Sequence, residues 1–285
     1  MKINRPYDSD NKVVVYIVPT PIGNLQDITY RAIDVLNKAD IIACEDTRVT
    51  KKLLDYYSIK NKTIISLYSQ NEITKSEKIL EIVKKENKIL AYLSDAGTPG
   101  ISDPGALLVQ ACYSNNISVT CLPGPSALIC GLVESNIDTS HFTFLGFLPV
   151  KENKIKQLLS TYSNSDETLI FYESPNRVIQ TLTIMEEVFG GDRNISLVRE
   201  LTKIHEEVTN GTIKEVLEEK KEIKGECIII VDKAKKQNID SNDLNKIIDK
   251  YKKEKLSTND IAKKVSLKTG ISKKVIYNKL LEKDD

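Results

Sequence analysis

The chain has 285 residues, enough for two ordinary domains or one large one, with the 40% hydrophobic and 28% charged content of a soluble globular protein. Its five cysteines form no C-x-x-C pair and only His141 and His205 could join them, which excludes a zinc site by spacing and predicts buried free thiols in a reducing compartment. The net charge of +1 hides an uneven distribution: residues 235–285 carry 14 Lys against 8 Asp and Glu, a basic appendage suited to nucleic acid or an acidic surface.

The first twelve residues, Met1 to Lys12, are polar and lack the apolar core of a secretory signal. No apolar run approaches the ~20 residues that span a bilayer. A cytoplasmic protein without membrane contact is expected. Val13 to Val18 is a continuous apolar run of strand length, as in a strand covered on both faces. Ile28, Ala32, Ile33 and Leu36 follow at helical spacing, with Asp27 placed to cap the helix. Ile41 to Cys44 is the next strand and ends in Glu45-Asp46-Thr47-Arg48. After Ile64 to Leu67, Thr74-Lys75-Ser76-Glu77 fits a capping box. Strands at 89–93 and 117–122 are each followed by a helix. Strands alternating with helices predict an α/β fold with a mainly parallel sheet over residues 13–141.

At His141 to Pro149 the rhythm changes, and a second α/β domain with a mixed sheet is expected over 142–234. Its strands are read near 169–172, 195–198, 206–209 and 227–231, with Ser174-Pro175 opening one helix. Residues 235–285 read as three amphipathic helices interrupted at Gly270, the outline of a helix-turn-helix module. Such a module fits either a nucleic-acid contact or a small helical cap.

Three loops follow predicted strands: Pro19 to Leu25, Ser94 to Gly105, and Leu122 to Ala127. None contains G-x-G-x-x-G or a Walker lysine loop, so the layout of a nucleotide-binding protein comes without its phosphate cradle. In a parallel sheet the three would gather at one edge, where stiff Gly/Pro backbone can grip an adenosine-like ligand without phosphates. Asp95 and Asp103 could accept from ribose hydroxyls, although Asp is also a routine turn residue.

Pro19 to Thr29, Glu45-Asp46-Thr47-Arg48, Ser94 to Pro99, Leu122 to Ser126, Phe144 to Pro149, Phe171 to Ser174 and Arg199-Glu200-Leu201-Thr202-Lys203 occur in an order that resembles the bacterial 16S ribosomal RNA cytidine 2′-O-methyltransferases. The resemblance covers nearly the whole chain. It implies the two-domain tetrapyrrole-methyltransferase-like fold, S-adenosyl-L-methionine as cofactor, the small ribosomal subunit as partner, and a homodimer. By motif it also implies cofactor contacts from Pro21, Gly23, Asp95, Gly97, Thr98, Ile101, Ser126, Ala127 and Tyr172. Gly225 to Cys227 is a further, weaker match.

A ribose hydroxyl is a poor nucleophile while protonated, so transfer to it gains from positioning and from a base. Glu45, Asp46, Asn71 and Glu200 stand near predicted strand ends, with Arg48 and Lys203 beside them. Glu45 or Asp46 as base with Arg48 on a phosphate fits the chemistry, and so does a helix cap with surface ion pairs. Lys255, Lys263, Lys264, Lys273 and Lys274 suit RNA phosphates or an ordinary solvated face. A tetrapyrrole or other small-molecule or protein methyltransferase of the same fold, and a non-catalytic helix-turn-helix binding protein, are the alternatives.

Overall fold

The computed structural model describes residue 4 and residues 15–234, 241–253, 256–269 and 271–281. Expectations for Met1–Lys12 other than Asn4, for Val13 and Val14, and for Lys255 and Gly270 lie outside the described residues. In chain order the first half runs β1 (Val15–Ile17), α1 (Tyr30–Lys38), β2 (Ile41–Cys44), α2 (Thr47–Tyr56), β3 (Thr63–Ser66), α3 (Glu72–Glu86), β4 (Leu90–Leu93), α4 (Ala106–Ser114), β5 (Val119–Cys121) and α5 (Ala127–Glu134). Its five strands form one wholly parallel sheet in the order β3-β2-β4-β1-β5.

The apolar runs explain the sheet's burial. All four residues of β2 and of β4 are buried, because alternate side chains feed two cores. Leu90 and Tyr92 meet Ile79, Leu80 and Val83 of α3 and Leu108 and Cys112 of α4 on one face. Ala91 and Leu93 meet Ala32, Val35 and Leu36 of α1 and Leu54 of α2 on the other. Strand β1 lies between central β4 and edge strand β5, so the loops leaving these three strands emerge side by side at the carboxyl edge.

The chain continues through β6 (Phe142–Phe147), α6 (Glu152–Thr161), β7 (Thr168–Glu173), α7 (Pro175–Phe189), β8 (Asn194–Arg199), β9 (Glu207–Thr212), α8 (Ile213–Glu219) and β10 (Cys227–Val231). The second sheet is mixed, in the order β6-β7-β10-β8-β9: β6 and β7 are parallel and the remaining pairs antiparallel. One face packs on α6, α7 and α8 through Ile155, Leu159, Leu182, Met185 and Val216. The opposite face, with Ile170, Val198, Ile228 and Ile230, receives Leu132, Ala127 and Leu128 of α5 together with Ile22. Elements of the first sheet thus close onto the second. Beyond residue 240, α9 (Ser241–Lys252), α10 (Thr258–Thr269) and α11 (Lys273–Leu281) share a core of their own around Ile248, Val265 and Ile276.

Two helix starts differ from the sequence reading. Helix α1 is capped by Thr29, whose hydroxyl accepts from the Ala32 amide at 3.0 Å. Asp27 instead closes a 3-10 turn, Leu25–Asp27, capped by Asn24. Helix α3 begins at Glu72 rather than behind a Thr74 capping box, with Thr74 bonded to the Asn71 carbonyl at 3.3 Å. The reason is tertiary: Glu72, only 4% exposed, accepts from the amides of Gly105, Leu107 and Leu108 at 2.8–3.1 Å and caps α4 from outside. The cysteines differ in part as well, since Cys44, Cys112 and Cys227 are buried free thiols and Cys121 is exposed.

Candidate active site

A cleft of about 360 Å³ opens where the carboxyl edge of the first sheet meets the second sheet. From the first sheet it takes Ile22 after β1, residues 96–98 and 101–103 after β4, and Ser126 to Leu128 at the start of α5. From the second it takes Phe147, Tyr172 to Pro175, Val198, Glu200, Leu201 and Glu226 to Ile228.

The loops from the first sheet are tied to one another. Thr20 and Gly97 exchange backbone hydrogen bonds at 2.9 and 3.0 Å, joining the first loop to the second. The Thr98 hydroxyl donates to the Pro125 carbonyl at 3.1 Å, joining the second to the third. The Leu128 amide at the start of α5 donates to the Tyr172 hydroxyl at 3.0 Å, which ties the third loop to the second sheet. Phe144 and Phe147 stand edge-on to the Tyr172 ring, with centroids at 4.9 and 5.7 Å. The slot is therefore rigid before anything binds, which lowers the ordering cost of binding.

Of the residues expected to hold a cofactor, Gly97, Thr98, Ile101, Ser126, Ala127 and Tyr172 line the cleft. Pro21, Gly23 and Asp95 belong to the same loops but are not part of this lining. A Cβ on Gly23 would sit 2.5 Å from Lys203 Cγ and 2.8 Å from the Leu201 carbonyl oxygen, so this glycine lets the β8–β9 turn close against the first loop. Asp95 accepts from the Asp46 amide at 3.1 Å and so links the ends of β4 and β2.

Of the residues expected to act on the substrate, only Glu200 lines the cleft. Its carboxylate accepts from Lys203 Nζ at 2.8 Å and from the Glu226 amide at 3.0 Å, and the lysine contact lowers its pKa. Glu200 and Thr202 hold positive φ values of 53° and 63°, at a cost of about 1–2 kcal/mol each. Asp46 grips its own neighbour: Arg48 Nη2 lies 2.5 Å from its carboxylate, which brings its pKa down to about 2. Glu45 behaves oppositely, its carboxyl pushed up by burial and by the nearby Asp103 and Asp95. Asn71 is not part of the lining; it stands at the N-terminus of α3, where its side-chain oxygen accepts from the Tyr68 amide at 2.9 Å.

The sequence reading missed Ile22, Leu128, Phe147, Glu173, Ser174, Val198, Leu201 and Ile228 as lining residues. Five are ordinary strand or helix residues and Ile22, Ser174 and Leu201 lie in turns between elements, and no local pattern separates those that face a cleft from those that face a core. Four carboxylates (Asp103, Glu173, Glu200 and Glu226) line the cleft, and among the described residues no Lys or Arg does. Such a site repels phosphates and favours a cation. A sulfonium and an α-ammonium, beside an adenosine held by apolar walls and rigid backbone, fit this donor set.

Comparison with known proteins agrees. Residues 14–217 match the family described as Tetrapyrrole (Corrin/Porphyrin) Methylases. The chain is 46% identical over 224 residues to a ribosomal RNA small subunit methyltransferase I from Hydrogenobaculum sp. (strain Y04AAS1), covering 77% of this chain and 95% of that protein. A protein of the same name from Haemophilus influenzae is 45% identical over 234 residues, 81% of each chain. Among solved structures, diphthine synthase superposes with a TM-score of 0.60 at 12% identity, over 76% of this chain and 89% of that one, a likeness of fold alone. The chain belongs to the tetrapyrrole (corrin/porphyrin) methylase family, alongside the ribosomal RNA small subunit methyltransferase I proteins.

Proposed function

We propose that the protein is an S-adenosylmethionine-dependent methyltransferase that modifies the ribose 2′-hydroxyl of a cytidine, position 1402, in 16S ribosomal RNA of the small ribosomal subunit. The observation that carries this reading is the acidic cleft, without Lys or Arg among its described lining residues, in a chain so close to its ribosomal RNA methyltransferase relatives. When bound, S-adenosylmethionine supplies an electrophilic methyl group on a sulfonium. Gly97, Thr98, Ile101, Ser126, Ala127 and Tyr172 hold it in this reading, braced by Pro21, Gly23 and Asp95. Carboxylates around the slot favour the positive charge, and the apolar walls exclude water.

RNA phosphates are kept out of the cleft by the same carboxylates and bind around it. Arg48, with a side chain 86% exposed, is suited to one of them. Ile101 and Phe147, 65% and 58% exposed at the cleft, offer apolar surface for a base. Asp46 and Glu200, engaged by Arg48 and Lys203, shape the rim and are poor proton acceptors. Glu45 sets the field at the end of β2, and Asn71 orders the neighbouring turn. We assign residues 13–141 and 142–234 as the two domains that hold the cofactor, and 235–285 as a basic module that adds RNA contacts through lysines such as Lys263, Lys273 and Lys274. A homodimer in the cytoplasm completes the reading. Ile129 and Val133, one turn apart on α5 and 49% and 71% exposed, are apolar surface that a second copy would cover. No helix among the described residues is long and apolar enough to cross a membrane.

Incubation with methyl-labelled S-adenosylmethionine and either unmodified small subunits, bare 16S RNA or a tetrapyrrole tests the activity. Label confined to one cytidine 2′-oxygen supports it, whereas label on the tetrapyrrole alone overturns it. Sedimentation of the full chain tests the dimer.

A further inference from the structure

Four carboxylates line the cleft, and three are already engaged. Glu200 and Glu226 share the Lys203 ammonium at 2.8 and 3.0 Å. Glu173, 2% exposed, accepts from the Ser174 amide at 2.9 Å and the Thr181 hydroxyl at 2.8 Å and lies 3.5 Å from Arg177. Asp103 differs. It is half-buried on the cleft wall, and among the described residues its carboxylate has no basic partner.

Its place on the chain matters as much. Asp103 follows Gly97, Thr98 and Ile101 on one loop, and that loop is pinned at both ends. Gly97 is bridged to Thr20, and two residues past Asp103 the Gly105 amide donates to Glu72 at 2.8 Å. One rigid segment therefore carries both the proposed cofactor contacts and a carboxylate without a cationic partner among the described residues, the preorganisation that a proton acceptor beside a reacting group requires.

We propose that Asp103 is the catalytic base of methyl transfer, a step that rests on the substrate reading above. Its carboxylate oxygen takes the proton of the ribose hydroxyl while an oxygen lone pair forms the new O–CH3 bond. The S–CH3 bond breaks, and its electron pair stays on sulfur as a neutral thioether. The protonated Asp103 then returns its proton to water. The titratable groups that act with it are Asp95 on the same loop, Glu45 at the end of β2, Tyr92 in β4 and Tyr172 in β7. None is a cation. Burial and Asp95 raise the proton affinity of Asp103, offset in part by the Ser94 hydroxyl. A carboxylate accepts a proton better as its pKa climbs toward the working pH.

The test uses the full chain, methyl-labelled S-adenosylmethionine and unmodified small subunits in single turnover, across roughly pH 5 to 9, with calorimetric cofactor affinity measured in parallel. At saturating cofactor, Asp103→Asn is expected to lose about 10²–10⁴-fold in rate, far more than any loss of cofactor affinity. The parent's rate should fall on the acid side, and this limb should vanish in Asp103→Asn and survive in Asp103→Glu. An unchanged Asp103→Asn rate, a cofactor affinity that falls in step with the rate, or a parent profile without an acid limb each overturns the assignment. The last holds even if the asparagine variant does not fold. A parent that never labels the subunit overturns the substrate reading itself, and the base with it.

Discussion

Glu45 and Asp46 are adjacent in sequence and opposite in behaviour, and the difference lies in what each touches. Asp46 has a guanidinium within 2.5 Å, whereas Glu45 has burial and two further carboxylates. The same logic sets the acid response of the surface. Glu207 accepts from Arg199 at 3.1 Å and also from Lys220, and its pKa falls to about 2. A depressed carboxyl contributes stability that is present above its unfolded value of about 4.3. That contribution is lost as pH falls toward the folded value. Glu207→Gln should therefore flatten the decline of melting temperature across that window, as thermal scans in a pH series would read. Asp103, Asp95 and Glu45 have the opposite sign, because a raised carboxyl gains folded-state stability as pH falls. At Gly23 the relevant quantity is space. Gly23→Ala must push back the Leu201 carbonyl, at a cost of about 1–3 kcal/mol, visible as a lower urea midpoint together with weaker cofactor binding.

Helix α4 shows an element completed by a distant residue. Gly105 supplies no capping side chain, and the open amides of its first turn are met by Glu72 from α3. A carboxylate there also suits the positive end of the helix dipole. Glu72→Ala strands buried donors, and a loss of about 1–3 kcal/mol or more is expected by urea denaturation. Because α4 begins where the loop proposed to hold the cofactor ends, the same variant should weaken S-adenosylmethionine binding as well. Unchanged affinity in a destabilised protein would show that the loop is held by its other ties, at Thr20 and Pro125. The strained β8–β9 turn is another such element. Two residues at positive φ there are balanced by the Glu200–Lys203–Glu226 pairs and by contact with Gly23.

At the scale of the molecule, the proposed function divides the work of binding between an acidic cleft and a basic C-terminal module. The cleft favours a cation, and the lysines favour phosphates. Helices α9 to α11 bury their apolar residues against one another. Removing residues 235–285 should therefore leave cofactor affinity intact while lowering affinity for the small subunit. The salt slope should shrink by about 0.7–0.9 for each phosphate that the module had neutralised. Calorimetry with cofactor and salt-dependent filter binding with subunits would check both halves. A truncated chain that binds subunits as tightly as the full one would show the module to be a stability element.

Much of the architecture was legible in residue order. Unbroken apolar runs such as Ile41 to Cys44 and Leu90 to Leu93 mark doubly covered parallel strands, and the absence of a phosphate-binding glycine loop narrows the ligand. Local chemistry could also place Ser174-Pro175 at the head of α7, because Pro at the first helical position acts through its own backbone. Tertiary structure alone decided the rest. Thr29 rather than Asp27 caps α1, Glu72 rather than Thr74 begins α3, and Val198 and Ile228 face a cleft that nothing in their strands foretells. Charge followed the same division. The sequence showed which carboxylates exist, but an ionisation depends on what lies within a few ångströms, and those neighbours come from other strands. Glu200 draws Lys203 and the Glu226 amide, Asp46 draws Arg48, and Asp103 draws no cation among the described residues. A loop's stiffness is written in its own glycines and prolines; the use of its carboxylate is set by the fold around it.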